Sequence, residues 1–292
     1  MAIIRPEELD QLSPIFKGAG GQALARAVFR ISGVDKVNKA EEAASSVAGF
    51  GSDFAKALLD YVGIDFSIGN PERLDTLPDG PFITISNHIY GHLDGICLID
   101  ILGHKRPGYK VMVNQILYWI KPLRPSFIAV NPTLDHRTTA TATSINGVKQ
   151  ALEQLRDGLP LGLFPSGAVS DLKPGEKWAI RDREWQDPAI RLIKKAGVPV
   201  VPVRFLDRNS NFYYSLGLIS SNVRLLRLCH EMFNKRGSSP RVVIGETIFP
   251  ETMGQMDLVS LKAFLRDSVY SLKDASASSY IKRSSLYLQN EK

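Results

Sequence analysis

The hydrophobic residues of this chain change their pattern near residue 64. From there on, short apolar runs alternate with segments rich in Gly, Pro and Asn, as expected for strands joined by turns. Seven runs are predicted as strands: Asp65–Ile68, Phe82–Ile85, Lys110–Val113, Ser126–Val130, Leu159–Phe164, Val198–Phe205 and Arg241–Ile244. Five helices are predicted: Asp94–Leu102, Thr138–Arg156, Pro188–Ala196, Asn222–Asn234 and Leu258–Leu272. This alternation predicts an α/β fold with a mixed, mostly parallel sheet flanked by helices.

The segment before residue 63 has a helical pattern instead. Apolar residues such as Ala43, Val47, Phe50 and Phe54 recur at steps of three and four, which is the spacing of one helix face. These faces either pack on the rest of the chain or form a helical platform at a lipid interface. We therefore predict a helical N-terminal extension over residues 1–62, an α/β core over 63–255, and a C-terminal helix and tail over 256–292.

Composition excludes several classes of protein. The chain has 292 residues, 44% of them hydrophobic, which is enough for one large core or two modest ones. Its two cysteines, Cys97 and Cys229, lie among apolar neighbours without metal-ligand spacing, so we expect no metal site, no disulfide framework and a reducing compartment. There is no zinc spacing, aromatic RNA-binding run or dense Arg/Lys block, so a nucleic-acid partner is not expected.

The charge and the distribution of apolar residues bear on membranes. The net charge of +6 suits a protein that works beside anionic lipid. The first residues lack the apolar core of a signal peptide, and no apolar run reaches the ~18 residues of a membrane-spanning helix. We therefore expect a protein that contacts a membrane without crossing it.

The candidate chemistry begins in the loop Ser86–Gly95, between a predicted strand and a helix, where α/β proteins usually place their sites. A neutral His88 can take a proton from a hydroxyl, and Asp94 can hold its other ring nitrogen. Two simpler interpretations compete: His88 caps the helix or satisfies a backbone group, and Asp94 is a charge at the helix N-terminus. Spacing alone does not separate His88 from His92.

A second strand ends in the turn Phe164–Gly167, whose glycine permits a close backbone approach. Such a turn beside the His88 loop can aim backbone N–H groups at a developing oxyanion, although a plain turn also fits. The run Val198–Val203 contains two prolines, which favours either an edge strand or the wall of an apolar pocket. The charged segment Arg181–Trp185 is either a solvated turn or a binding element.

In this order, these stretches resemble the glycerolipid acyltransferase family, which includes the lysophosphatidic acid acyltransferases. The family has Asn-His, four residues and then Asp, whereas here five residues separate His88 from Asp94, a form similar to the hemolysin-like bacterial branch. Phe164–Gly167 takes the place of the family's Phe-Pro-Glu-Gly block, and Val198–Pro202 resembles its last block. Asp182–Trp185 is similar to a segment of the same branch.

The resemblance implies catalytic residues and residues that bind substrate. His88 and Asp94 are the catalytic candidates. The substrate-binding candidates are Asn87, Asn131, Phe164, Pro165, Ser166, Gly167, Arg181 and Arg183.

Two departures from the family pattern bear on the substrate. The family's Arg after its second block and its Glu in the third are associated with a glycerol-phosphate headgroup, whereas this chain has Asn131 and Ser166 there. A phosphate without a guanidinium partner loses a strong bidentate contact, unless Arg137, Arg181 or Arg183 supplies it. The branch therefore points to a lyso-amino-acid lipid, in which a 3-hydroxy fatty acid is amide-linked to an amino acid such as ornithine or glycine.

The resemblance implies an O-acyltransferase that moves a fatty acyl group from an acyl-carrier-protein or coenzyme A thioester to the hydroxyl of a lysolipid. The thioester is already activated, so the acyl donor is a co-substrate and no bound cofactor or metal is expected. Backbone donors near Gly167, or at the helix after Asp94, would meet the oxyanion. We expect the acyl chain in a groove walled by one of two sets: Val111, Val113, Ile116 and Leu117, or the strand Val198–Val203.

Two alternative functions stay open: a 1-acylglycerol-3-phosphate acyltransferase, and a catalytically silent lipid-binding protein with the same fold. Each agrees with peripheral contact with an anionic membrane, and we expect it at the cytoplasmic face of the inner membrane. Besides the N-terminal helices, the candidates for this contact are the aromatic and basic segment Tyr118–Ile128 and the helix Asn222–Asn234. Arg224, Arg227, Lys235 and Arg236 lie on and just after that helix, which either docks on anionic lipid or packs in the core with a basic outer face.

Overall fold

Eight strands form one sheet in the computed structural model, which describes residues 17–131, 142–219, 221–274 and 279–288. They are β1 (Ser67–Gly69), β2 (Ile83–Ser86), β3 (Lys110–Asn114), β4 (Phe127–Val130), β5 (Leu161–Leu163), β8 (Val200–Phe205), β9 (Arg241–Ile244) and β10 (Tyr280–Lys282). β6 (Asp171–Lys173) and β7 (Ala179–Arg181) form a separate antiparallel hairpin. The order across the sheet is β10-β1-β9-β8-β2-β5-β3-β4. Only β10 on β1 and β8 on β9 pair antiparallel within this sheet, which confirms the predicted mixed, mostly parallel arrangement.

Helices flank the sheet. In chain order the described helices are α1 (Gly18–Ser32), α2 (Val34–Val47), α3 (Gly51–Val62), α4 (His92–Lys105), α5 (Ala142–Arg156), α6 (Asp187–Ala196), α7 (Asn211–Ile219), α8 (Ser221–Phe233), α9 (Pro250–Met253), α10 (Leu258–Tyr270) and α11 (Ser285–Leu288). Within the described parts of the chain, every helix is too short or too polar to cross a bilayer. The division into residues 1–62, 63–255 and 256–292 stays a prediction.

Two apolar cores lie on opposite faces of the sheet. α2, α3 and α4 bury their apolar side chains in the first core, whereas α5, α6 and α10 contribute to the second. Alternate residues of β2 face opposite cores. Ile83 and Ile85 lie in the second core, whereas the Thr84 hydroxyl is 2.6 Å from the hydroxyl of Tyr109, which belongs to the first core. α4 is buried from Leu93 to Leu102, as its continuous apolar run predicts.

Most predicted elements are present within a few residues of their expected bounds. The predicted start of the helix at Thr138, and Arg137, lie outside the described residues. The sequence prediction missed α7, the β6–β7 hairpin and β10, because these elements are short and lack a clear apolar period.

The strand with two prolines is not at an edge, contrary to one of its two interpretations. β8 pairs with β2 on one side and with β9 on the other, and Val200, Val201 and Val203 are buried in the cores. A central strand tolerates Pro202 because the ladder to β9 is interrupted there. Val200 bridges Ile248 while Val203 pairs with Ile244, so the partner strand bulges by one residue opposite the proline.

The C-terminal tail completes the sheet and carries a buried charge network. Arg283, which follows β10, is 2% exposed, and its guanidinium donates to the buried Asp100 of α4 at 2.8 Å and to Asp60 of α3. The Tyr287 hydroxyl donates to the other Asp100 oxygen. These bonds tie the end of the chain to α3 and α4, which also form the first core.

Replacing Arg283 with Met should lower the free energy of unfolding by about 3–5 kcal/mol, because Asp100 then stays buried without its cationic partner. Urea denaturation measures this loss. The matched control is Lys282→Met, one residue earlier and exposed, which should change stability by less than about 1 kcal/mol. Equal stability of the two variants would contradict a structural role for the network.

Candidate active site

The ends of two neighbouring parallel strands bring the predicted site residues together. His88 follows β2, and Phe164 follows β5, which pairs with β2 in parallel. The carboxyl ends of parallel strands lie at the same edge of a sheet, so the two loops meet there. The His88 and Phe164 rings pack with centroids 4.2 Å apart and planes tilted by 31°. Phe164 therefore supports one face of the imidazole.

His88 and Asp94 form a hydrogen-bonded pair. The His88 Nδ1 atom lies 3.0 Å from Asp94 Oδ2, which also accepts the backbone N–H groups of Tyr90 and Gly91 at 3.0 Å each. A carboxylate only accepts hydrogen bonds, so Nδ1 carries the proton and Nε2 keeps its lone pair. The Asp94 side chain is fully buried, whereas that of His88 is 19% exposed. Burial raises the pKa of the Asp94 carboxyl, and its hydrogen bonds oppose that rise.

The tight loop between the two residues depends on Gly91. Its φ is +81°, in the left-handed region, and a Cβ atom there would come within 2.9 Å of the Leu228 side chain of α8. The turn lets Asp94 cap the start of α4 while it holds His88. The helix-charge interpretation of Asp94 and its pairing with His88 are therefore both present in the structure.

His92 has a different environment from His88. Its Nε2 atom is buried and has no hydrogen-bond partner among the described residues. Burial, together with the nearby Lys235 ammonium and the His88 ring, lowers the pKa of His92 to about 4, so the imidazole of His92 stays neutral at pH 7. His92 also lacks the carboxylate contact that orients His88, and this difference favours His88 as the base.

A buried carboxylate ties the His88 loop to the next turn of the chain. Asp182 Oδ1 accepts the His88 backbone N–H at 3.0 Å and the Ser170 hydroxyl at 2.6 Å, and its Oδ2 accepts the Trp185 indole N–H at 3.1 Å. Ser170 in turn donates its backbone N–H to the His88 carbonyl at 2.7 Å. Sequence reasoning included Asp182 only within a charged segment and did not assign it a role, because its partners lie far apart in the chain.

These bonds indicate that Asp182 positions His88, and replacement of Asp182 by Asn tests that role. The amide places an N–H₂ group against donors that need an acceptor, so the His88 backbone should shift. We expect kcat to fall about ten- to a hundred-fold while KM changes little. Steady-state kinetics separates the two constants. Glu184→Gln, two residues further along with a side chain that is 71% exposed, is the matched control for local disruption, and an unchanged kcat in Asp182→Asn would contradict the role.

The Phe164–Gly167 turn is closed by its own hydrogen bonds, which corrects part of the prediction. The Ser166 hydroxyl donates to the Ala168 carbonyl at 2.8 Å, and this residue is 1% exposed. The Gly167 N–H donates to the Phe164 carbonyl at 2.9 Å, so it is not available to an oxyanion. Pro165 is buried, and its carbonyl accepts the Gln186 N–H. This turn shapes the site rather than presenting the Ser166 hydroxyl or the Gly167 N–H to substrate.

Asn87 also differs from its predicted role as a substrate contact. Its amide donates to the Phe205 carbonyl at 2.9 Å and accepts the Phe205 N–H at 2.8 Å, and the residue is 3% exposed. Both ends of the amide are therefore used by the backbone of β8. This arrangement favours anchoring of the catalytic loop over contact with a lipid headgroup.

The remaining substrate-binding candidates are Asn131, Arg181 and Arg183, and each contacts another group of the protein. Asn131 follows β4, three strands away from β2 at the edge of the sheet, where its backbone bonds Ser144. Arg183 is paired with Asp171 at 2.7 Å. Arg181 has a side chain that is 50% exposed and lies 3.8 Å from Glu176, so it is the more accessible of the two arginines. Their binding roles stay predictions.

Neither predicted wall of the acyl groove is an open surface. Val111 and Val113 are 0% and 8% exposed and lie in the first core, as do Val201 and Val203 of β8. Leu117 packs half-buried against the same core, and the Ile116 side chain lies outside what the structure describes. The prediction was wrong for Val111, Val113, Val201 and Val203, because these residues belong to interior strands of the sheet and pack in its core.

The hairpin of α7 and α8 covers the His88 loop, a contact that the local sequence pattern does not indicate. The Tyr214 hydroxyl donates to the Ile89 carbonyl at 3.1 Å. Arg224 donates to the Ser170 and Val169 carbonyls at 3.0 and 3.3 Å and pairs with Asp171 at 2.7 Å. Two cations of the predicted basic face, Arg224 and Lys235, are thus buried.

Lys235, which follows α8, contacts Tyr90 of the same loop. Its ammonium donates to Asn209 Oδ1 at 2.9 Å and lies 4.8 Å from the centroid of the Tyr90 ring. Burial lowers the pKa of Lys235, whereas the nearby carboxylates of Glu231, Asp94 and Asp207 oppose that change. The Asn209 amide donates to the Ile89 carbonyl at 3.3 Å, so α8 and the segment before α7 both hold the loop.

The arrangement can remove a proton from a bound hydroxyl. His88 has one nitrogen on a buried carboxylate and a ring that remains partly exposed, and Phe164 and Asp182 fix its position. In the described parts of the chain, no cluster of His, Cys, Asp and Glu has the composition of a metal site.

Comparisons with known proteins agree with acyl-transfer chemistry. A family model described as acyltransferase matches residues 48–279, a stretch that contains the His88 loop, the Phe164 turn and Asp182. A lyso-glycine lipid O-acyltransferase of Bacteroides thetaiotaomicron is 30% identical over 230 residues, covering 76% of this chain and 80% of that protein. A protein of the same name from Phocaeicola vulgatus is 29% identical over 231 residues, covering 76% of this chain and 78% of its own length.

Proposed function

The chain belongs to the acyltransferase family and is an enzyme that transfers acyl groups, and from that premise we propose that it acylates the hydroxyl of a lyso-amino-acid lipid. The acyl donor is a thioester of acyl-carrier protein or coenzyme A. The observation that carries the proposal is the His88 Nδ1 contact with buried Asp94 at 3.0 Å, beside a partly exposed imidazole.

The chemistry starts at the acceptor hydroxyl. This group is too weak an acid to ionise at neutral pH, so His88 Nε2 takes its proton as the oxygen attacks the thioester carbonyl. A C–O bond forms, and Asp94 stabilises the imidazolium that results. Collapse of the tetrahedral intermediate breaks the C–S bond, and the His88 proton passes to the leaving thiolate. The products are an ester and a free thiol.

The names of two relatives support glycine as the amino acid of the acceptor, since both are lyso-glycine lipid O-acyltransferases. A further argument is the absence of Arg at the end of β4, where Asn131 lies, because a phosphate headgroup would lose a bidentate partner there. Arg181, which is half exposed, is the candidate for the acceptor's carboxylate.

The experiment is a panel of acceptors offered to the purified protein with acyl-carrier-protein and coenzyme A thioesters. The acceptors are an N-(3-hydroxyacyl)glycine, the ornithine analogue and lysophosphatidic acid, and mass spectrometry detects the diacylated products. We expect acylation of the glycine compound at least about tenfold faster than of lysophosphatidic acid, since one lost headgroup contact is worth this factor. His88→Ala is the control for uncatalysed transfer.

The other outcomes discriminate between the alternatives. Acylation of lysophosphatidic acid alone would identify a phospholipid-synthesis enzyme and overturn the amino-acid-lipid proposal. Binding of lysolipids without release of thiol from either donor would identify a silent lipid-binding protein. In a deletion strain, lipid profiling should show accumulation of the 3-hydroxyacyl amino acid rather than of lysophosphatidic acid.

A further inference from the structure

The hairpin of α7 and α8 has one face that the site uses and one that it leaves exposed. On the inner face, Tyr213 and Tyr214 are at most 1% exposed, and Arg224 holds the Ser170 turn. The outer face carries large apolar side chains that contact solvent. They are Phe212 (56% exposed), Leu218 (52%), Ile219 (80%) and Leu225 (49%).

These side chains are grouped along the chain. Of the 12 large hydrophobic residues that are exposed in the described parts of the chain, four fall between residues 212 and 225. Phe212 and Ile219 are separated by two helical turns, so they share one face of α7. Single exposed apolar residues are ordinary, but a group on one hairpin marks a surface that contacts a partner or a membrane.

Positive charge borders the apolar group. The Arg227 guanidinium lies 5.1 Å from the centroid of the Phe212 ring, and His230 follows one turn later on α8. Lys36 of α2 lies 5.8 Å from the Phe233 ring, also on this side. Burial lowers the pKa of His230, and the nearby positive charges of Arg227 and Lys36 lower it further. Glu231, at 3.8 Å from Arg227, is the neighbouring carboxylate.

We propose that the outer face of the α7–α8 hairpin docks on an anionic phospholipid bilayer. Leu218 and Ile219 enter the boundary between headgroups and acyl chains, where apolar side chains are stabilised. Arg227 and Lys36 lie at the level of the lipid phosphates. A symmetric contact with a second copy would bring these cations toward one another, which is unfavourable. An acidic carrier protein would leave the aliphatic side chains without an apolar partner.

Docking by this surface would place the catalytic loop next to the bilayer. The loop packs directly on the hairpin, with Gly91 against Leu228 and the Ile89 carbonyl bonded to Tyr214. The proposal is independent of the acceptor that the enzyme uses, because the exposed face and the site are on opposite sides of the hairpin.

Vesicle co-sedimentation of the full chain, without substrates, tests the proposal. We expect binding to vesicles of phosphatidylglycerol mixed with phosphatidylcholine, weakened by salt, and much less binding to phosphatidylcholine alone. The double substitution Leu218→Ser and Ile219→Ser should lower the partition coefficient at least about tenfold. Arg227→Gln should lower it about fivefold and reduce its salt dependence.

Matched controls come from exposed apolar residues elsewhere. Phe249 is 56% exposed and Val259 is 74% exposed on the first turn of α10, and the pair Phe249→Ser and Val259→Ser should bind vesicles like the wild type. The pair Val47→Ser and Phe50→Ser tests whether the N-terminal helices bind the vesicles instead. The proposal is overturned if that second pair abolishes binding while the hairpin pair does not.

Light scattering and activity complete the test. A dimer that becomes monomeric in the Leu218/Ile219 variant, with vesicle binding unchanged, would identify the face as a contact between copies and overturn the proposal. Turnover of a water-soluble, short-chain acceptor should be equal in the variant and the wild type, which shows that the fold is intact. Vesicle binding needs no turnover, so its failure is distinguishable from failure of the proposed function.

Discussion

A His88→Ala protein should lose about a hundred- to ten-thousand-fold in kcat, because we propose that His88 accepts the proton of the acceptor hydroxyl. The His88 side chain is partly exposed, so its removal should leave the melting temperature close to that of the wild type. Thiol release measured with saturating acceptor and donor reports kcat directly. Retention of more than about a tenth of the wild-type rate, well above the expected range, would contradict His88 as the base.

The matched control is His92→Ala, two positions away on the same loop. His92 is neutral, because its pKa is lowered to about 4, and it has no carboxylate to orient it. We expect its variant to keep most of the rate and to lose stability instead, since its ring is desolvated. A collapse of kcat in His92→Ala with an active His88→Ala would reverse the assignment of the two histidines.

Replacing Asp94 with Asn should lower kcat by about a thousand- to ten-thousand-fold, in line with the same change in Ser-His-Asp enzymes. The amide removes the negative charge that stabilises the imidazolium and permits the wrong tautomer of His88. The fold should survive, because the amide oxygen can still accept the Tyr90 and Gly91 N–H groups at the start of α4. The expected change in the free energy of unfolding is within about 1–2 kcal/mol.

A carboxylate at another helix start controls for the loss of a cap. Asp257 accepts the Ser260 N–H at 2.8 Å at the start of α10, away from the site, and Asp257→Asn should leave kcat unchanged. Thiol release under single-turnover conditions adds a second readout, because it isolates the chemical step. A lower rate with unchanged products in Asp94→Asn agrees with an orienting carboxylate. A wild-type rate would show that the Asp94 charge is unnecessary.

The order of strands and helices could be predicted from the sequence because it depends on local periodicity. Short apolar runs bounded by Gly and Pro correspond to β2, β3, β4, β5, β8 and β9 within a few residues. The His88 loop was recognisable for the same reason: a strand, a Gly-rich turn and a helix follow one another directly. Residues within one short loop remain close in space, whatever the rest of the chain packs against the loop.

Contacts between distant segments could not be read in this way. Asp182 bonds the backbone of His88 across 94 positions, and Arg283 bonds Asp100 across 183. Nothing in the local pattern distinguishes these two residues from charges on a solvated surface. Both side chains are buried in the fold, where an unpaired charge is costly. The fold brings each of them next to a partner from a distant segment.

The amino-acid sequence by itself determined the α/β class and the family, and it placed the candidates His88, His92 and Asp94 in one loop, because each of these rests on residues that are close along the chain. Only the tertiary structure showed that His88 bonds Asp94, that Asn87 and Ser166 face inward, and that the two-proline strand lies in the middle of the sheet. The physical reason is the same in each case. Exposure and hydrogen-bond partners are properties of packing between distant segments, and the local pattern of residues does not specify them.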